Sequence, residues 1–146
     1  NSDGDDLIIK GIRLPMLRQQ HPTKEGEPNL CLADFVRPLT GGITDRVGAF
    51  ATTVDAAMEH DFMTDDFKRM LSQTLADRLA EATAELTHLM VRRYIWGYAP
   101  DEHLTIDELH KERFQGIRPA VGYPSMPETS LKTQVFGAFV VGMLLP

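Results

Sequence analysis

An α+β fold is expected for this chain, a small antiparallel sheet beside one dominant helix, and three features predict it. The N-terminal third carries short apolar, β-prone runs separated by glycines and prolines. The middle carries a long apolar repeat at helical spacing. The last third opens on a stretch too rich in proline and glycine for any regular element.

Taken in order, Leu7-Ile8-Ile9 is the first β-prone run. Between Ile12 and Gln20, Pro15 permits a helix only if it lies in the first turn. A loop over His21 to Asn29 precedes Leu30 to Val36, which reads as a buried strand ended by Pro38. Asp34 interrupts that run and is expected to serve as a structural hydrogen-bonding group. Gly41-Gly42 marks a turn, and Val47 to Val54 has the small, β-branched texture of a partner strand.

The longest element follows. Asp55 to Glu59 suits a short helix, and Thr64-Asp65-Asp66 supplies an N-cap with acidic residues in the first turn. From Phe67, the residues Met70, Leu71, Leu75, Leu79, Ala82, Leu86, Leu89 and Met90 recur at helical spacing. The helix is expected over about residues 65–93, with Arg92 and Arg93 at its C-terminal end, as the backbone of the core. Thr105-Ile106-Asp107-Glu108 resembles a capping box for a second helix to about Glu112. Thr129-Ser130-Leu131 could start a last helix, and the apolar tail from Val135 looks strand-like.

Composition bounds the function. The chain has 146 residues, a one-domain length, and a net charge of -6. An acidic chain is poorly suited to neutralising nucleic-acid phosphates. No stretch approaches the ~20 apolar residues that span a bilayer. The single cysteine, Cys31, excludes an internal disulfide and fits a reducing, cytoplasmic setting as a buried thiol. The five histidines are scattered, without the paired spacing of a metal site.

Two groups of residues could carry chemistry. Residues 116–128 hold three prolines, two glycines, Arg118 and Tyr123. Such a rigid loop would display an arginine fork, suited to a carboxylate or phosphate, and a tyrosine ring, suited to a flat apolar group. On the long helix, Asp77 and Glu81 lie four apart on one face, flanked by Arg78 and Glu85. A solvated helix face laced with salt bridges is the simpler account of them. Taken together, the groups suit a small zwitterion carrying a carboxylate, an ammonium and a flat ring.

Leu75-Ala76-Asp77-Arg78-Leu79-Ala80-Glu81-Ala82 and Gly116-Ile117-Arg118-Pro119-Ala120-Val121-Gly122-Tyr123-Pro124 closely resemble the S-adenosylmethionine-binding activation domain of cobalamin-dependent methionine synthase. Leu17-Arg18-Gln19-Gln20, Cys31-Leu32-Ala33-Asp34-Phe35-Val36, Gly48-Ala49-Phe50-Ala51, Val91-Arg92-Arg93 and Trp96-Gly97-Tyr98-Ala99 extend the resemblance in the same order. It implies a C-shaped α+β domain with a twisted antiparallel sheet. It implies one activation-type domain over residues 1–146, without the family's N-terminal helical region and C-terminal part.

The resemblance also implies a role in reductive reactivation, as a domain or subunit of a methyltransferase that is not complete alone. S-adenosylmethionine would donate a methyl group to cobalamin on a partner module, with an electron from a flavodoxin-type donor. Arg118 would then bind the ligand's carboxylate, Ala120 and Gly122 would offer backbone contacts, and Tyr123 would line the adenosyl site. Glu81 would hydrogen-bond the ligand and Asp77 would face the cobalamin module. The alternative is a non-catalytic interaction module that keeps the fold without binding the ligand.

Overall fold

Two hairpins begin the chain. The computed structural model describes residues 1–140, with strands β1 (Ser2–Asp3), β2 (Asp6–Ile9) and β3 (Ile12–Pro15) in one antiparallel sheet of order β1-β2-β3. Lys10 and Gly11 take positive φ (49° and 81°) in the two-residue turn between β2 and β3, the requirement of a tight hairpin whose twist matches its strands. The register pairs Leu7 with Leu14 and Ile9 with Ile12. Cross-strand partners share a face, so all four apolar side chains point one way. On the other face Arg13 bonds both Asp3 and Asp6 at 2.6 Å, offsetting the repulsion between two carboxylates at paired positions.

The chain divides into two compact units, residues 1–49 with 119–146, and residues 50–118. The first unit is built on an apolar core. Leu14, Met16, Cys31, Leu32, Ala33, Met126 and Leu131 are buried together, with Leu7, Ile9, Ile12, Val121 and Val135 packed against them. Cys31 is the buried thiol that its apolar setting predicts.

Leu30 to Val36 is not a strand. Leu32–Phe35 is a short 3-10 turn, and the side chain of Asp34 explains it. Its carboxylate accepts the Cys31 N–H at 2.8 Å and both terminal nitrogens of Arg18 at 2.8 Å, which bends the chain back on itself. The Arg18 guanidinium, then the Cys31 amide, hold this carboxyl below the usual aspartate range. Val47 to Val54 likewise joins no sheet. A β-prone run becomes a strand only where another backbone pairs with it, and Val47 and Phe50 are exposed instead. The segment from Ile12 resolves as strand, with Pro15 at its end where a missing amide costs least.

The second unit is built on α1 (Asp66–Met90), which continues into a wider π turn over Val91–Ile95. Asp65 caps its N-terminus by accepting from the Lys68 N–H, within the Thr64-Asp65-Asp66 stretch that the sequence offers for a cap, so the helix starts one residue later than expected. Asp55 does the same for the 3-10 turn Ala56–Glu59. Thr52 donates to the Ala80 carbonyl and Ser72 to the Met58 carbonyl, tying residues 50–59 along the helix. Thr105 and Glu108 form the expected reciprocal capping box of α2 (Ile106–His110).

The helix exists where the pattern places it, but its apolar repeat is not a core. Phe67, Met70, Leu71, Leu75, Leu79, Leu86 and Met90 are all more than 40% exposed, and within α1 only Ala76 and His88 are buried. Helical spacing specifies a face; it does not specify what covers that face. In the first unit, α3 (Leu131–Val140) corrects the strand expected from Val135, and Leu131 joins the core. The tail over 141–146 lies outside the described residues. No helix among the described residues is long and apolar enough to cross a membrane.

Candidate functional site

Residues 116–128 form neither helix nor strand, as their prolines and glycines require. The part in the first unit is two successive turns. The Tyr123 N–H reaches the Ala120 carbonyl at 3.2 Å, with Gly122 at φ 100° in the third position, where a side chain would be strained. The Met126 N–H then reaches the Tyr123 carbonyl at 2.8 Å, with Pro124 in the second position that fixed proline geometry favours. The Gly122 N–H is taken by the Met126 carbonyl at 2.8 Å. Tyr123 is exposed, its ring displayed by the turn.

The second unit ends on Arg118. Its Nη2 donates to Oε1 of Glu85, on α1, in a partly buried ion pair. The partner is therefore Glu85 and not Glu81, one turn earlier. Glu81 instead accepts from Arg78 at 2.9 Å in an exposed pair. Asp77 is exposed on the same face, one further turn back. Asp77, Glu81 and Glu85 thus form an acidic row, and Arg118 closes its C-terminal end.

Behind Arg118 lies a buried polar cluster. Arg92 is 0% exposed. It forks onto Glu102, with Nε to both oxygens (3.0 and 2.9 Å) and Nη2 to Oε1 at 2.7 Å. Its Nη1 donates to Nδ1 of His88 at 2.8 Å. A guanidinium has no lone pair to offer, so Nδ1 of His88 must accept and the imidazole is neutral. Burial, then the positive charges of Arg92 and Arg118, push its pKa down from 6.5 to about 4. Phe114 packs edge-on against His88 at 4.8 Å and lies 4.6 Å under the Arg92 guanidinium carbon. Tyr98 lies against Gly116, where a Cβ would crowd its hydroxyl at 3.2 Å, and a φ of 90° there strains any other residue. These contacts anchor the stretch that delivers Arg118.

Sequence reasoning found Arg118 and the acidic face but missed this support. Arg92 is expected only at the C-terminal end of the long helix, and His88 only among the scattered histidines. Their spacing of four is a weak signal for contact. Glu102 lies ten residues beyond Arg92 across a turn, and no local pattern joins them.

A family model described as vitamin B12 dependent methionine synthase, activation domain, matches residues 1–142. The chain belongs to that family. It is also similar to a solved structure, that of a MetH reactivation domain bound to AdoHcy, at 42% identity and a TM-score of 0.80. The match covers 96% of this chain and 47% of that one, so the chain spans about half the length of this relative.

Proposed function

We propose that this activation domain binds S-adenosylmethionine and presents its methyl group for the reductive remethylation of cob(II)alamin, returning a cobalamin-dependent methionine synthase to its active form. The observation that carries this reading is the relative's ligand. AdoHcy is S-adenosylmethionine less its methyl group, and that relative shares 42% of its residues and its fold with 96% of this chain.

The residues present fit such a ligand. Arg118 offers the carboxylate a guanidinium fork, and its Nε is buried without a hydrogen-bond partner among the described residues. Tyr123 offers its exposed ring to the adenosyl group, and Ala120 and Gly122 offer backbone contacts, the Ala120 carbonyl through its second lone pair and the Gly122 amide being engaged in the turn. Glu81 would reach the ligand by leaving Arg78, a low cost for an exposed pair. Asp77, exposed on the same helix face, is assigned to the contact with the cobalamin module.

The corrinoid, held by that partner module and not by this chain alone, would accept the methyl group after one-electron reduction by a flavodoxin-type donor. In this reading the domain would act in the cytoplasm as part of a methyltransferase. Titration calorimetry with S-adenosylmethionine tests the reading. Binding to the wild-type chain that falls at least about a hundredfold in Arg118→Ala is expected, the scale of losing a charged, forked contact. No heat at millimolar ligand, from a chain that circular dichroism shows to be folded, would end it. That outcome would favour a non-catalytic docking module, for which the exposed apolar face of α1 is the supporting observation.

A further inference from the structure

Among the described residues, three buried side-chain atoms have no hydrogen-bond partner: Oε2 of Glu85, Nε of Arg118 and Nε of Arg93. Two of the three belong to one ion pair. Arg118 and Glu85 touch through Nη2 and Oε1, and each keeps its second atom unsatisfied beside that contact. Leaving a buried charged donor or acceptor unmade is expensive, and native structures rarely do so without a reason. Here the two unmade groups are complementary in kind, one N–H lacking an acceptor and one carboxylate oxygen lacking a donor.

An α-amino acid zwitterion supplies both missing partners from a single carbon. Its carboxylate accepts from a guanidinium edge, and its ammonium donates to a carboxylate. We propose that Arg118 and Glu85 together read the amino-acid end of the ligand, Arg118 Nε taking the carboxylate and Glu85 Oε2 the ammonium. The assignment rests on the S-adenosylmethionine reading and adds to it a residue, Glu85, that determines specificity for the free amino group. Glu81 is the weaker candidate for the ammonium because it lies exposed at the surface with no buried, unsatisfied oxygen to offer. The nearby His88 is neutral, as its bond from Arg92 requires, and so adds no positive charge to oppose the ammonium. The existing ion pair holds both side chains in place before the ligand arrives, which lowers the ordering cost of binding.

The experiment is calorimetry of the whole chain with S-adenosylhomocysteine and with its analogue lacking the α-amino group, on wild type and on Glu85→Gln. The wild type should bind the amino-bearing ligand about tenfold to a hundredfold more tightly than the analogue, the range expected for one charged hydrogen bond. Glu85→Gln should erase most of that difference by weakening only the amino-bearing ligand, and Glu85→Asp should restore part of it. Equal or tighter binding of S-adenosylhomocysteine by Glu85→Gln would overturn the assignment while leaving the ligand reading intact. If Glu85→Gln does not fold, the wild-type comparison decides, and equal affinity for the two ligands overturns the assignment. Absence of any binding by the folded wild type would end both.

Discussion

The two units solve the problem of burial in opposite ways. In residues 1–49 and 119–140 the buried side chains are almost all apolar, Leu14, Met16, Cys31, Leu32, Met126 and Leu131, and the charged pairs lie outside. In residues 50–118 the most deeply buried side chain is an arginine, while the apolar row of α1 faces outward. An apolar core tolerates small errors of geometry, because dispersion and the hydrophobic effect have little directionality. A buried guanidinium does not, because every donor must meet an acceptor. The first unit is therefore held together by area, and the second by the exact partners of Arg92.

Removing one of those partners should produce the largest effect. Glu102→Ala leaves Arg92 charged, buried and without its fork, and is expected to destabilise the second unit by about 3–5 kcal/mol. Urea unfolding would measure it, and hydrogen exchange should show the loosening concentrated in residues 50–118. A loss below about 1 kcal/mol would mean that the cluster is solvated and that the contrast between the units is overstated.

Acid should act next. His88 is neutral in the folded chain with a pKa of about 4, against 6.5 when unfolded. Between those values the unfolded chain binds more protons, so stability rises with pH across this window. His88 contributes its full share above pH 6.5, loses it as the pH falls toward 4, and changes nothing further below that. The loss is on the order of 3 kcal/mol. Proton NMR of the His88 ring should show it still neutral at pH 5.5 in the folded protein. Titration near 6.5 would refute the buried acceptor role.

The smallest effect is expected where sequence periodicity alone would place the largest. Leu75→Lys puts a charge into the apolar repeat of α1, yet Leu75 is 52% exposed, so the folded chain should change by only about 0.5 kcal/mol. A loss of several kcal/mol in thermal unfolding would show that this face is covered in solution.

Sequence was most informative where the physics is local. A cap needs a side chain within three residues of an orphan amide, so a cap in Thr64-Asp65-Asp66 and the Thr105–Glu108 box could be read directly. The same holds for the 116–128 loop, where proline and glycine dictate backbone angles on their own. It was least informative where a residue's state depends on a distant one. Leu30 to Val36 has strand composition, but Arg18 pulling on Asp34 turns it into a 3-10 bend. Arg118 could be singled out by chemistry, whereas its counter-ion Glu85, 33 residues away, needed the fold to choose it over Glu81.

The π turn over Val91–Ile95 carries a further consequence. Its Trp96 N–H reaches back five residues to the Val91 carbonyl at 2.9 Å, one residue more than an α-helical turn closes. The chain thus counts one residue extra at the point where α1 hands over to the stretch bearing Tyr98 and Glu102. Deleting one residue there would leave the composition nearly unchanged and the helix regular. It would also re-phase everything downstream by about 100°, turning Glu102 away from Arg92 and Tyr98 away from Gly116. At this junction the information lies in the spacing, and a change of length would do what few changes of side chain could.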